Sequence, residues 1–277
     1  MLSIDGAENS QMKKPVIPLI VIIAAAALGL WYFLAHRKPP AVPTPAPSVS
    51  AVPPAPAPPT LPATRFPVPA ESGGAKQVAL PALADSDPAI RGALTGLIGA
   101  AAVQQFLAPE DLIRRIVVTV DNLPRRKVPV DKRPVVAVPG AFLAQGDEQH
   151  ATLDQRNFAR YAPVVDVVRN LDMQALANLY FHFYPLFQSA YQNLGYPEGY
   201  FNDRLIAVID ELLATPQPRQ PIALVQPNVM YEFADPALEA LPAGQKLLIR
   251  MGPQNAAVIK GKLAELRAAL TAAPPPH

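Results

Sequence analysis

DMQALANLYFHFYPLFQSAYQNLGYPEGYFNDRLIAVIDELLA, residues 172–214, is the stretch on which the fold turns. Asp172 precedes a long apolar run and is placed to accept the unpaired amides of a helix start. Tyr180, Phe183, Tyr184, Phe187 and Tyr191 follow in three- and four-residue steps, so they form one stripe, read as core before aromatic groove. Gly195 suits the left-handed position that ends such a helix. A second helix then places Leu205, Ile206, Ile209, Leu212 and Leu213 on one face.

Between the two runs lies GYPEGYFNDRL, residues 195–205, dense in aromatic and polar groups. Asn202 stands directly before the amphipathic run and reads as its cap, with Asp203 favoured beside the positive helix end. Gly195, Pro197 and Gly199 supply turn geometry. Tyr196, Tyr200 and Phe201 read as packing over a helix–helix joint, while Arg204 has no partner that the sequence names. The reading is a joint between helices first and the lip of a pocket second.

Outward from this pair, helical punctuation recurs. Asp87-Pro88 opens a short glycine-weakened helix, and Pro109 opens PEDLIRRIVVTVDNL, with Leu112, Ile113, Ile116, Val117 and Val120 at helical spacing. LPRRKVPVDKRPVVAVPG carries four prolines and is no regular helix. FLAQ and HATL flank Gly146-Asp147 as a small hairpin. Asp154 caps a helix that Pro163 bends, IALV and VMYEF suggest a second strand pair, and Asp235-Pro236 and Pro253 each open a helix. The expected fold class is mainly α (α+β): a multi-helix domain with one or two small β-hairpins, preceded by a single transmembrane helix and a Pro-rich linker.

The anchor is VIPLIVIIAAAALGLWYFLA, residues 16–35, without one charge. At the helical rise it spans about 30 Å, the thickness of a bilayer's hydrocarbon core. Its apolar run continues past the small residues Ala24–Ala27, which favours an uncleaved signal anchor over a cleaved leader. Lys13 and Lys14 on one side tie with Arg37 and Lys38 on the other, so charge alone leaves topology open. Residues 39–70 hold 13 prolines and favour extended polyproline II, a stiff spacer. The expected organisation is tail 1–14, anchor 15–36, disordered Pro-rich linker 37–78, helical domain 79–272 and tail 273–277.

Composition removes several functions. With 24 Lys+Arg against 22 Asp+Glu among 277 residues, the charge of +2 supports no global polyanion partner, and nucleic acid is not expected. There is no cysteine, hence no disulfide, thiol nucleophile or thiolate metal site. No two histidines have ligand spacing, and the phosphate-loop, nucleophile-elbow and zinc-protease motifs are missing. No catalytic residue, metal ligand or cofactor is assigned. Charge is uneven locally: the Arg- and Lys-rich 114–133 stretch carries an excess of five, and Glu198–Glu239 a deficit of five. The candidate polar site is Asn202, Asp203, Arg204 and Glu232, and the candidate contact for an anionic partner is Arg125, Arg126 and Lys127.

The blocks LIRRIVVTVDNLPRRKVP (112–129), LGYPEGYFNDRLIAVIDELLATP (194–216) and YEFADPALEALPAGQKLLIRMGPQNA (231–256) resemble a bacterial family catalogued as domain of unknown function 3014. The resemblance implies a short tail, one membrane span, a Pro-rich stretch and this domain, with a Gram-negative inner membrane and a periplasmic domain as the setting. It implies no activity and no site residue. The expectation is a membrane-tethered binding module for another envelope component, a protein first, in preference to an enzyme. The alternatives are an envelope hydrolase or transferase built around Asn202–Arg204, and recognition of peptidoglycan or lipid headgroups through the basic loop 125–133. Oligomeric state is left open.

Overall fold

In the computed structural model, which describes residues 63–69, 79–147 and 150–272, Asp172 caps the helix that organises the rest. Its Oδ1 accepts from the backbone N–H groups of Gln174 at 2.9 Å and Ala175 at 3.0 Å. The described residues form nine helices: α1 (Asp87–Ile98), α2 (Ala100–Phe106), α3 (Leu112–Asn122), α4 (Arg156–Asn170), α5 (Met173–Asn193), α6 (Phe201–Leu213), α7 (Pro236–Glu239), α8 (Ala243–Arg250) and α9 (Pro253–Thr271). Two antiparallel pairs complete them, β1 (Ala144–Gln145) with β2 (Thr152–Leu153) and β3 (Leu224–Val225) with β4 (Glu232–Phe233). The domain is mainly helical with two small hairpins.

The aromatic stripe of α5 is core. Tyr180, Phe183, Phe187 and Tyr191 are buried with Leu112, Ile113 and Val117 of α3, Ile206 and Ile209 of α6, and Leu270 of α9. Phe187 and Phe201 stack with ring planes 3° apart and centroids at 5.7 Å, fastening α5 to the start of α6. A second cluster gathers the hairpins: Leu153, Ile222, Leu224 and Phe233 pack with Ile249 of α8. The hairpins are stitched together where Leu153 N donates to Ile222 O at 2.9 Å and Leu224 N donates to Ala151 O at 2.8 Å.

Two local departures have physical causes. Asp87 does not cap its own helix; its carboxylate reaches across to accept from the amides of Asp111 at 2.6 Å and Leu112 at 2.8 Å, and so caps α3. Asp111 sits at φ 57°, a left-handed turn that breaks the run expected from Pro109 and delays α3 to Leu112. Gly244 is the second case, because α8 must approach α3 closely. Gly244 N donates to Leu123 O at 3.0 Å, and a Cβ there would lie 2.7 Å from Leu212 Cδ2.

Residues 63–69 fall inside the stretch read as disordered linker, yet they belong with the domain, whose compact unit runs Pro59–His277. Phe66 packs against the main core cluster. The expected linker therefore contains a docked segment before position 79. The expected span at residues 16–35 lies outside the described residues, and among those described no helix is long and apolar enough to cross a membrane.

Candidate functional site

Asn202 is fully buried and is not a helix cap. The helix starts one residue earlier, and the amide of Phe201 is taken by Gln188 Oε1 of α5 at 2.9 Å. Arg204 N already donates to Tyr200 O at 3.2 Å, so the amide that a cap at Asn202 would take is inside the helix and the Asn202 side chain turns inward. Tyr180 Oη donates to its Oδ1 at 3.2 Å, and its Nδ2 donates to the carbonyl of Phe66 at 2.8 Å. A buried amide left without these partners would cost about 1–3 kcal/mol, so Asn202 is specific for its surroundings.

Asp203 stands in the first turn of α6, where the dipole argument puts it, but its hydrogen bonds leave the helix. Oδ2 accepts from Arg65 N at 2.9 Å, and Oδ1 accepts from Phe66 N at 2.8 Å and from Thr64 Oγ1 at 3.3 Å. The pair is thus a clamp: a carboxylate grips two successive N–H groups where the segment bends at Arg65 and Phe66, while an amide grips the Phe66 carbonyl. Burial raises the pKa of Tyr180, with Tyr184 and Asp203 adding to it. Tyr184 is pushed up to about 12, first by burial and then by Asp203 and Tyr200, against the opposing Asn202 amide. The Tyr180 phenol is the donor that orients Asn202, while Tyr184 Oη donates to Gln188 Oε1 at 3.0 Å.

Arg204 finds the partner that the sequence left unnamed. Its Nη2 donates to Asp121 O at 2.6 Å and pairs with Asp121 Oδ1 at 3.1 Å. Asp121, 2% exposed, also accepts at Oδ2 from Arg125 Nη2 at 2.6 Å and Tyr196 Oη at 3.3 Å. A carboxylate this deep is tolerable only with such pairing. Tyr196 in turn stacks on Tyr191 at 4.6 Å, closing the joint between α5 and α6.

Asn202, Asp203 and Arg204 thus occupy one turn of α6, and each is engaged by the chain itself. Glu232 stands apart in β4, opposite Val225. Of the basic trio, Arg125 is drawn into the Asp121 network, whereas Arg126 and Lys127 are exposed. Nearby basic residues are also spent internally: Arg115 donates to the carbonyls of Glu110 at 2.8 Å and Asp131 at 2.5 Å. No cluster of three or more His, Asp or Glu side chains suited to a metal ion occurs among the described residues.

Sequence reasoning passed over Asp121, Gln188 and the Thr64–Phe66 segment. A signal for the last was present: Phe66 is the lone aromatic in residues 37–78, standing in an otherwise Pro- and Ala-rich stretch.

The family model described as Protein of unknown function (DUF3014) matches residues 112–267. The chain belongs to this family. The match takes in α3 through most of α9, and with them Asp121, the α5–α6 joint and the Asn202–Arg204 turn. No curated protein and no solved structure gives a significant match.

Proposed function

We propose that this chain is a single-pass protein of a bacterial inner membrane whose periplasmic domain binds another component of the cell envelope, a protein. The charge-free residues 16–35 and the Pro-rich stretch after them support the tether, an arrangement that raises local concentration at a membrane. The observation that carries the partner is the loop between β3 and β4. Val229 is 85% exposed and Met230 74% exposed, adjacent at its tip. The loop is braced from below: Gln226 Nε2 donates to Val229 O at 3.0 Å, and Arg250 Nη2 donates to Tyr231 O at 3.1 Å. Two neighbouring apolar side chains held out on a braced base suit a protein surface better than solvent. A photo-crosslinking residue placed at Met230 in the full-length chain, in its own cells, tests this. A discrete protein adduct that Val229→Asp abolishes is expected; no adduct, or one indifferent to that substitution, would contradict it.

The basic loop supports a second reading, contact with anionic headgroups or envelope polymer. Arg126 and Lys127 make no ion pair among the described residues and lie near Val130, which is 70% exposed. In the full-length chain reconstituted into anionic vesicles, a photo-crosslinking residue at Val130 should label lipid headgroups, and reversing both Arg126 and Lys127 to Glu, with Arg125 left in place, should abolish that labelling. Undiminished labelling would remove this reading.

A further inference from the structure

The contact between Thr64–Phe66 and α6 is built as a ligand contact is built. The partners are separated by 136 to 139 residues, so no local turn creates it. Three of its four hydrogen bonds go to backbone: Arg65 N and Phe66 N to Asp203, and Phe66 O from Asn202. Backbone capture of this kind is indifferent to side-chain identity, and selectivity then comes from the side chain that finds a seat. Here the seated side chain is Phe66, packed against the main core cluster, with the Arg65 guanidinium 5.7 Å from its ring centroid. Pro67 follows; it has no N–H to satisfy, so no further donor is left after the Phe66 amide. The receptor side is rigid, because Asn202 is fully buried and locked by Tyr180. The ligand side is small: one aromatic ring and one short run of backbone, with Arg65 and Pro67 exposed.

We infer that Asn202, Asp203 and the adjoining seat for Phe66 form a recognition site for a short bent peptide carrying an aromatic residue followed by proline. In this chain the site is filled in cis by residues 64–67, and that segment is exchangeable for the same sequence supplied in trans. The Pro-rich stretch then reaches the domain through a latch and not through a bare covalent hinge. A competing peptide would change how the domain is held without touching its core.

The test uses the full-length chain in detergent with a protease site inserted between Gly73 and Gly74. After cutting, the N-terminal piece is expected to stay with the domain on size-exclusion chromatography. A synthetic peptide of residues 63–69, ATRFPVP, should release it, and the same peptide with alanine for Phe66 should need at least about tenfold more, the ratio for one modest contact. Asp203→Asn should lower retention of the cut piece. Phe66→Ala, a change outside every helix of the domain, should do the same, which separates loss of the latch from loss of the fold. Immediate release from the uncompeted wild type would overturn the site. Equal displacement by both peptides, or none by either, would overturn the selective exchange.

Discussion

Asp121 is the residue whose loss should hurt most. Its carboxylate is 3% exposed and ties Arg204, Arg125 and Tyr196 together. Asp121→Ala removes the shared acceptor and leaves the partly buried Arg204 uncompensated, a change expected to cost about 3–5 kcal/mol in urea unfolding. Arg125→Ala should cost under about 1 kcal/mol, because that side chain is 54% exposed and solvent screens it. Equal effects would mean that the network is not centred on Asp121. Glu239 makes a pH-dependent case. Burial pushes its pKa up, but the hydrogen bonds from Lys246 and from the Phe233 amide outweigh this and hold it below its ordinary 4.5. A carboxyl with a lowered folded-state pKa stabilises fully above its unfolded value and loses that contribution as pH falls through the folded one. The stability gap between wild type and Glu239→Gln should therefore stay level above about pH 5 and narrow as pH falls below it; a constant gap would contradict the assignment. Residues like these show the limit of the sequence. Asp172 and Asn202 both precede apolar runs, and only Asp172 caps. The difference is that the helix begins one residue earlier, with its first amide taken by Gln188 and the Arg204 amide bonded to Tyr200 O, and no local pattern reveals that start.

Elements were more legible than single side chains. The α5 stripe and the α6 face come directly from three- and four-residue spacing, and Gly146, at φ 103°, turns the first hairpin as its flanking residues suggest. The start of α3 was not legible, because it is set by Asp87 from another helix and by the left-handed Asp111. Gly252, between α8 and α9, does more than end α8. It sits at φ 89°, and a Cβ there would lie 2.5 Å from Phe158 Cγ of α4. Gly252→Ala should therefore cost about 2 kcal/mol or more from backbone strain alone, with the displaced Phe158 ring adding to it. Urea unfolding checks this. An unchanged midpoint would mean that α9 leaves α8 in another way.

At the scale of the whole molecule, composition divided the chain into anchor, Pro-rich stretch and domain, and the family match covers the domain alone. What composition could not show is that residues 63–69, outwardly more of the same low-complexity stretch, carry hydrogen bonds specific to α6. The candidate site was legible as a place and not as a role. Asn202, Asp203 and Arg204 were singled out for polar character beside tight turns, and they are joined, but to Phe66 and to Asp121 of their own chain. Glu232 shared the polar character and not the location. The clamp rests on Asp203 holding the amides of Arg65 and Phe66. Hydrogen exchange at those two amides in the full-length chain measures this most directly. Both should exchange well slower than in the free peptide ATRFPVP, and protection should vanish in Asp203→Asn while the amides of α5 stay protected. Exchange of Arg65 and Phe66 in the wild type at the free-peptide rate would contradict the clamp.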